Sequence, residues 1–488
     1  MSPAVGIAAV AAVSVATAVI GFYGLRISRT TGDFYVASRT VRPWWNASAI
    51  GGEYLSAASF LGVAGLILLS GTDALWYPVG YTAGYLMLLL FVAAPLRRSG
   101  AYTIPDFTEA RLDSRAVRRV TSLAVVIVGW LYIVPQLHGA ALTIRTTTGL
   151  PPWVGSTAVV VVVCLTVVAG GMRSITFVQA FQYWLKLTAL AVPIIFMVFV
   201  LSGNDLPAEA APATNPTGQV PAGPYQNISL LVALLFGTLG LPHVLVRFYT
   251  NPDGHSARRT TLIVLGLLSV FYLFPTAFGL LGRVFAPELA DTGQADAVVL
   301  LLPGRLVGGP AGELLSALVV AGAFAAFLST TSGLVVSLAG VISQDVLGGS
   351  VRGFRLAALV SATVPLGLAF TTDSLALAGS VGLVFAFTAS TICPVLLLGI
   401  WWRGLTDAGA IAGMVTGGVL CGGAMVAGTV LGAAGTPSWL AQPAAWTVPA
   451  AFAVMILTSR ATSARVPRTI TKVMTRLHTP ERPLATER

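Results

Sequence analysis

Charged residues are scarce in this sequence. Only 9% of its 488 residues are charged and 56% are hydrophobic, whereas an average soluble domain carries about 25% charged residues. Too few polar groups are present to cover a globular surface, so most of the exterior has to face lipid. The composition therefore excludes a soluble globular protein and predicts an all-α polytopic membrane protein.

Cysteine is rare, and the motifs of several functional classes are missing. The three cysteines, Cys164, Cys393 and Cys421, all fall within predicted membrane spans, which excludes a disulfide framework. Neither a Cys-x-x-Cys pair nor a histidine cluster offers the spacing of a metal centre, and no Gly-x-x-x-x-Gly-Lys-[Ser/Thr] loop is present to bind ATP. No Ser/His/Asp arrangement at membrane depth suggests a protease. We therefore expect no cofactor and no enzymatic activity.

Long apolar segments dominate what is present. A membrane-crossing helix needs about 20 apolar residues. By that measure the sequence predicts thirteen spans, at residues 4–25, 44–69, 74–95, 120–144, 153–170, 175–201, 228–247, 260–282, 312–344, 355–371, 375–401, 407–433 and 443–459.

Basic residues predict the orientation of these spans. With the N-terminus outside, 24 of the 28 lysines and arginines fall in cytoplasmic segments, Arg247 among them, as expected for cytoplasmic loops. The exceptions are Arg145, Arg283 and Arg305 outside and Lys186 within a span. We expect a plasma-membrane (inner-membrane) protein with a cytoplasmic C-terminus. This distribution also accounts for the net charge of +10 without a nucleic-acid partner.

Two polar segments fit that orientation. The predicted external loop at 203–227 contains Asp205 and Glu209 and no basic residue. The basic tail, 460–488, has two interpretations: an amphipathic helix on the membrane surface or a disordered segment that only sets orientation.

Two of the predicted spans are interrupted. The segment FGTLGLPHVLVRFYT (236–250) places Gly-Pro and a histidine inside the seventh span, and GGEYLSAAS (51–59) interrupts the second. Lipid cannot hydrogen-bond a freed backbone group, so an unwound stretch at membrane depth has to line a protein cavity or bind a ligand. Two interrupted helices at corresponding positions indicate the binding site of a secondary transporter.

The spacing of the interruptions predicts an inverted repeat. They lie five spans apart, and because five is odd, a five-helix unit that recurs would insert with the opposite orientation. The predicted halves are residues 44–202 and 226–402. The helix at 4–25 and the two helices within 407–459 would be additions to this core.

Hydroxyl groups in the ninth span suggest a cation site. Four consecutive residues, Ser329 to Ser332, carry hydroxyls, and the interrupted second span can supply carbonyl oxygens near Gly52 and Leu55. Together these oxygens suit sodium. Alternatively, each hydroxyl bonds a carbonyl of its own helix, as is common in membrane helices.

Other polar residues in the spans leave several roles open. Glu53 is the acidic residue deep in the second span; it would tune a cation site, carry a proton, or pair with Lys186 or His138. His243 suits a small anion such as a carboxylate, or satisfies an unwound carbonyl. Lys186 would otherwise extend along an apolar face toward the membrane surface. For Gln136 and Gln179, bonds between helices are the simpler interpretation.

Four segments carry a family resemblance: DFYVASRTVRPWWNASAIGG (33–52), GGEYLSAASFLGVAGLILLSG (51–71), GGMRSITFVQAFQ (170–182) and FGTLGLPHVLVRFYT (236–250). They resemble the sodium:solute symporter family and, more narrowly, its cation/acetate permeases, which carry short monocarboxylates. The resemblance extends from about residue 33 to 403. It implies a LeuT-like five-plus-five core with one preceding and two following helices.

The resemblance also implies site residues. The sodium ligands would be the carbonyls of Gly52, Leu55 and Ala326 and the hydroxyls of Ser329 and Thr330. Gln179 and Glu53 would serve as polar residues of the acetate branch, with Gln136 nearby. From the interruptions themselves, we expect the substrate between the two interrupted spans, near Tyr54, Ser56, Ser59, Phe60, Thr238, Gly240 and His243.

The expected function is uptake of acetate, propionate or pyruvate driven by inward sodium movement, with sodium, the solute and the lipid bilayer as partners. The alternatives are a proton-coupled monocarboxylate carrier and a sodium symporter of another solute, such as proline, pantothenate or urea. A non-transporting sensor is disfavoured, because the tail after Arg460 has no room for an output domain.

Overall fold

The structure is a computed structural model that describes residues 1–23, 37, 41–202, 223–372 and 377–480. Several sequence predictions lie outside the described residues. They are the first basic cluster at Arg26, Arg29 and Arg39, the acidic residues Asp205 and Glu209, and the tail beyond residue 480. Within the described ranges every regular element is a helix, as the composition predicts.

Among its described residues, the first half of the chain contains eight α-helices: α1 (Pro3–Tyr23), α2 (Pro43–Tyr54), α3 (Val63–Ser70), α4 (Trp76–Phe91), α5 (Ala93–Arg98), α6 (Ile104–Leu112), α7 (Arg115–Thr148) and α8 (Pro152–Ser202). A π-helical turn, Ala58–Gly62, leads into α3, and a 3-10 turn, Gly71–Leu75, separates α3 from α4.

The second half contains twelve α-helices within the described residues: α9 (Pro224–Gly240), α10 (Pro242–Phe248), α11 (Gly254–Phe285), α12 (Glu288–Asp291), α13 (Val298–Leu306), α14 (Gly309–Asp345), α15 (Val351–Thr371), α16 (Leu377–Trp401), α17 (Asp407–Gly435), α18 (Ser438–Ala441), α19 (Ala444–Ala461) and α20 (Ile470–His478).

Ten described helical segments are long and apolar enough to cross a membrane, and α9 with α10 forms one further, bent span. Two of the ten each cover two predicted spans. One is Ala58–Phe91, and the other is α8, whose 51 residues would extend about 77 Å at 1.5 Å per residue, far more than one crossing needs. α8 breaks at Gly171, where φ is 57°. The count of thirteen spans and the inverted repeat stay predictions.

The buried centre of the molecule is formed by α14 and α16. In α16, 83% of the most apolar window is buried, and in α14 the figure is 67%, whereas it is 28% for α1 and 33% for α19. α14 packs along α8 and α7, and α16 packs along α9. The two interrupted spans therefore lie against the most buried helices of the protein.

Part of the basic tail is a helix docked on the protein body. In α20, Met474 and Leu477 are buried, and Arg476 donates to the Arg98 carbonyl at 3.0 Å. His478 contacts the Ile400 carbonyl through Nε2 at 2.9 Å. The described tail is thus ordered against α5 and the end of α16, so the interpretation as a disordered segment is wrong for residues 470–478.

Candidate functional site

The second predicted span is interrupted next to Tyr54, as the sequence predicts. α2 ends at Tyr54, and Leu55 leaves the helical conformation with φ −74° and ψ 85°. The chain becomes helical again in the π-turn that precedes α3. Gln136 of α7 accepts a hydrogen bond from the Ala57 N–H at 2.8 Å. A side chain from another helix therefore satisfies a backbone group that the interruption frees, which is a requirement at membrane depth.

The seventh predicted span is interrupted at Leu241. α9 ends at Gly240, α10 begins at Pro242, and Leu241 between them is extended, with φ −66° and ψ 114°. The two helices meet at 46°. A Cβ atom on Gly240 would lie 2.8 Å from Thr388 Cγ2, so only glycine permits this approach to α16. Both predicted interruptions are confirmed.

The oxygens predicted to hold sodium converge around the side chain of Lys186. Its Nζ donates to the carbonyl of Gly52, to the carbonyl of Leu55 at 2.7 Å and to Ser329 Oγ at 2.9 Å. Ser329 Oγ is also 2.6 Å from the Gly52 carbonyl and 3.0 Å from the Ala326 carbonyl. Lys186 and Ser329 are both fully buried. The structure thus places the Lys186 side-chain nitrogen among these oxygens.

Thr330 takes a neighbouring place. Its Oγ1 donates to the Glu53 carbonyl at 2.7 Å, so it ties α14 to α2 one residue away from Gly52. Four of the five predicted sodium ligands, Gly52, Leu55, Ala326 and Ser329, therefore share one cluster, and Thr330 borders it. Their role as sodium ligands stays a prediction.

A buried ion pair joins the two interrupted spans beside this cluster. Arg247 Nε of α10 donates to Glu53 Oε2 of α2 at 2.7 Å, with side-chain exposures of 0% and 1%. The same guanidinium donates to Thr176 Oγ1 at 2.7 Å and to Gln179 Oε1. Gln179 in turn donates to the Ser329 carbonyl at 2.8 Å. A continuous polar network therefore connects α2, α8, α10 and α14.

Two glycines let this network close. A Cβ atom on Gly52 would lie 2.2 Å from the Gln179 carbonyl oxygen, and one on Gly333 would lie 2.0 Å from Glu53 Oε1. Both distances are far below van der Waals contact. The backbones of α2 and α8 consequently touch at Gly52, and α14 leaves room for the Glu53 carboxylate.

Aromatic rings fill the space between the interrupted spans. Tyr54 lies edge-on to Tyr85 with ring centroids 4.6 Å apart, and its hydroxyl contacts Thr238 Oγ1 at 3.2 Å. Phe385 of α16 contacts Tyr81 at 5.2 Å, and Tyr132 contacts the His243 ring at 5.2 Å. We call this set the aromatic cluster; its members are Tyr54, Tyr81, Tyr85, Tyr132, His243, Tyr272 and Phe385.

The aromatic cluster contains polar atoms without partners. Within the described residues, neither ring nitrogen of His243 and neither hydroxyl of Tyr81 and Tyr85 has a hydrogen-bond partner. These three side chains are at most 2% exposed. Buried polar groups are normally satisfied, so unpaired atoms here indicate a place for a polar ligand.

The remaining predicted substrate residues lie at different distances from this cluster. Ser59 Oγ contacts Tyr272 Oη at 2.9 Å, and Tyr272 stacks on Tyr81 at 5.9 Å. Ser56 is buried beside the interruption. Phe60 instead packs against Phe271 and close to Gly322 of α14. The structure thus connects Tyr54, Ser59, Thr238 and His243 to the cluster, whereas Phe60 and Gly240 have packing contacts with α11, α14 and α16.

The charge pattern assigns Arg247 to a cytoplasmic segment, and its side of the membrane stays a prediction. The charge pattern does not predict that its side chain is 0% exposed and paired with Glu53. Neither proposed partner of Glu53, Lys186 or His138, forms its ion pair; His138 Nε2 instead contacts the Ala369 carbonyl at 3.1 Å. In the sequence, the acidic Glu53 adjoins one interruption and the basic Arg247 adjoins the other. These opposite charges were a signal from which the pair could have been predicted.

A separate cavity of about 430 Å³ opens beside α7. His138, Arg145, Trp153, Asp296 and Phe370 contribute to its lining, whereas no predicted substrate residue does. Arg145 is predicted to lie on the external side. The cavity is therefore distinct from the aromatic cluster, none of whose members lines it.

Comparison with known proteins agrees with this architecture. The model of the sodium:solute symporter family (SSF) matches residues 34–417. An uncharacterized symporter, YwcA of Bacillus subtilis (strain 168), is 32% identical over an alignment of 423 residues that covers 82% of this chain and 82% of the relative.

Two solved structures share the fold. One is a Na+-coupled sialic acid symporter in a substrate-bound outward-open state, with a TM-score of 0.71, 16% identity, and coverage of 93% of this chain and 98% of that one. The other is Mhp1, a nucleobase-cation-symport-1 family transporter, with a TM-score of 0.54, 16% identity, and coverage of 91% and 98%. The family match covers most of the sequence and both interrupted spans, so this chain belongs to the sodium:solute symporter family.

Proposed function

We propose that this chain is a secondary active symporter that takes up a short monocarboxylate, such as acetate, propionate or pyruvate, by alternating access. The solute would bind in the aromatic cluster, between the interruptions at Leu55 and Leu241. Membership of a symporter family supports transport, and the two buried interruptions support a site at this depth. The identity of the solute is our inference from the chemistry of the cluster.

One observation carries the choice of an anion: the buried charges around the interruptions do not balance. Glu53, Lys186 and Arg247 are all fully buried, and with all three ionised they sum to one positive charge. An uncompensated buried charge is strongly unfavourable. A bound carboxylate would supply the missing negative charge. A neutral solute or a zwitterion would leave the surplus in place.

The polar atoms without hydrogen-bond partners in the aromatic cluster also suit a carboxylate. A carboxylate oxygen only accepts hydrogen bonds, and the hydroxyls of Tyr81 and Tyr85 and a protonated nitrogen of His243 are donors. Phe385 and the faces of the tyrosine rings would surround a short alkyl chain. The hydroxyls of Tyr54 and Tyr272 already contact Thr238 and Ser59, so a small solute with a single carboxylate fits the unpaired atoms best.

The coupling cation has two candidates. Family membership supports sodium-coupled transport, with sodium held by the oxygens of Gly52, Leu55, Ala326, Ser329 and Thr330. The alternative coupling ion from the sequence is a proton. The ammonium group of Lys186 would already supply a positive charge among these oxygens, which favours this alternative over a free metal ion. In either case a positive charge next to the cluster would strengthen binding of the anion.

A counterflow assay tests the proposed solute. The purified full-length chain is reconstituted into liposomes loaded with unlabelled propionate, and entry of labelled propionate is measured, followed by acetate, pyruvate and proline as competitors. We expect the monocarboxylates to compete and proline to be inert. Exchange that proline inhibits and acetate does not would favour a different solute and contradict the proposal. His255→Phe, at an exposed position on α11, is a control variant that should exchange normally.

A further inference from the structure

Lys186 lies where a symporter of this family is expected to hold its coupling sodium ion. We propose that its ammonium group permanently takes the place of that ion, so that this chain does not bind sodium there and does not need sodium for uptake. The inference deepens the proposed function and rests on it only for the identity of the solute. It leaves the proton, the second candidate, as the coupling ion. In this inference, a side-chain ammonium group occupies the position in which a free sodium ion is otherwise expected.

The hydrogen-bond count supports an ammonium group as the resident cation. A lysine ammonium has three N–H donors and no acceptor. Lys186 Nζ contacts three oxygens, namely the Gly52 carbonyl, the Leu55 carbonyl and Ser329 Oγ. All three donors are therefore used, and two of the acceptors are carbonyls beside or at the interruption of the second span.

The position is also inaccessible to a competing cation. Lys186, Gly52, Leu55 and Ser329 are buried, and repulsion between like charges is stronger in a buried, low-dielectric setting than in water. A sodium ion held by the same carbonyls would lie next to a positive charge and share its ligands. The nearby negative group, Glu53, already receives Arg247 Nε at 2.7 Å and cannot offset a second uncompensated cation.

Packing holds the lysine in this direction. The backbones of α2 and α8 touch where Gly52 meets Gln179, and seven residues after Gln179, about two turns later, the Lys186 side chain reaches back to the interruption. One turn beyond Lys186, Ala189 packs so closely on Gly322 that a Cβ atom there would lie 2.3 Å from the Ala189 Cβ. This face of α8 is therefore fixed against α14, and Lys186 has no route to the membrane surface.

The decisive test is sodium binding by the unmodified protein, because it needs neither a known solute nor a variant. Melting temperatures of the full-length chain in detergent are compared in sodium, potassium and choline chloride at equal ionic strength, since a ligand that binds the folded state raises the melting temperature. We expect the same value in all three salts, and no saturable binding of labelled sodium. Saturable sodium binding that Ser329→Ala abolishes would overturn the proposal.

Removing the ammonium group provides the converse test. Lys186→Ala leaves the carbonyls and Ser329 Oγ in place without their cation. We expect this variant to gain stabilisation by sodium over choline, whereas Lys472→Ala, at the exposed second lysine of the chain, should behave like the unmodified protein. If Lys186→Ala does not fold, the measurement on the unmodified protein still decides the matter.

Uptake separates this inference from the proposed function. Labelled propionate uptake into proteoliposomes is measured with sodium or choline on both sides and an inward proton gradient. Rates that agree within about twofold support the inference. A rate about tenfold higher with sodium than with choline would overturn it and leave the proposed solute intact. If no monocarboxylate is taken up in either salt, the proposed function fails, and the sodium-binding result alone decides the role of Lys186.

Discussion

Arg247 donates its Nε proton to Glu53 Oε2 at 2.7 Å, and both side chains are essentially excluded from solvent. The two residues belong to α10 and α2, each adjoining an interruption of a different span. This pair, and not a lipid-facing surface, holds the two interrupted spans against each other. It also explains how one acidic and one basic residue are tolerated at membrane depth.

The ion pair predicts a large loss of stability when either of its two residues is neutralised. Glu53→Gln leaves the Arg247 charge buried without a partner, and a broken buried pair costs about 3–5 kcal/mol. We expect the melting temperature in detergent to fall sharply for Glu53→Gln and for Arg247→Gln, and to recover partly in the double variant, in which neither residue is left without its partner.

The surface pair Arg305–Glu288 is the matched control, because its side chains are 40% and 55% exposed. Arg305→Gln should change the stability by about 1 kcal/mol or less. Equal effects at the two pairs would contradict a buried structural role for Arg247.

Backbone contact at Gly52 predicts that even one methyl group is disruptive. In Gly52→Ala the new Cβ would lie 2.2 Å from the Gln179 carbonyl, so α2 and α8 have to separate and the cluster around Lys186 has to open. We expect a loss of about 1–3 kcal/mol, typical of overpacking, together with loss of propionate exchange.

Gly266→Ala is the control for that substitution, because nothing lies within 4 Å of its new Cβ. It should retain normal melting and exchange. A Gly52→Ala protein that exchanges propionate as fast as Gly266→Ala would show that the two backbones are not in contact.

The unpaired nitrogens of His243 predict that this residue contributes to solute affinity through hydrogen bonds and not only through the packing of its ring. His243→Phe keeps an aromatic ring against Tyr132 and removes both nitrogens. A hydrogen bond to a charged group contributes about 1.5–3 kcal/mol, so we expect the dissociation constant for propionate to rise about 10-fold or more. Equilibrium binding of labelled propionate measures this change. An unchanged dissociation constant with normal folding would assign His243 to packing alone.

Gln136 is predicted to stabilise the interruption of the second span. Gln136→Leu removes the acceptor of the Ala57 N–H, which then lies buried and unpaired, at a cost of about 1–3 kcal/mol. Thermal unfolding in detergent should reveal the loss. Gln294→Ala, at an exposed position between α12 and α13, should have an effect of about 0.5 kcal/mol or less. If the two variants have the same melting temperature, Gln136 is dispensable for the interruption.

Local chemistry was sufficient to predict both interruptions. The sequence Gly-Leu-Pro at residues 240 to 242 interrupts a helix, because proline lacks an N–H and clashes with the preceding turn. The small and polar residues after Gly51 likewise predict a weak helix. The convergence of Gly52, Leu55 and Ser329 followed from the family resemblance, although no sequence spacing connects these positions.

What the sequence could not provide were contacts made by long side chains across the bundle. Lys186 has a flexible four-carbon stem, and its target depends on how α8 packs on α2, which is a tertiary property. Arg247 was assigned to the cytoplasmic side because the charge rule uses position along the chain only. The pairing of Arg247 with Glu53 arises where two distant interruptions meet.

Uptake of labelled propionate by proteoliposomes containing the purified chain tests the central claim most directly, namely that the two interrupted spans enclose a site for a short organic anion beside a buried cation. The account predicts accumulation above protein-free liposomes that unlabelled acetate abolishes and His243→Phe reduces. Uptake no greater than in protein-free liposomes, under conditions in which the same preparation accumulates a neutral or zwitterionic solute such as proline, would contradict it.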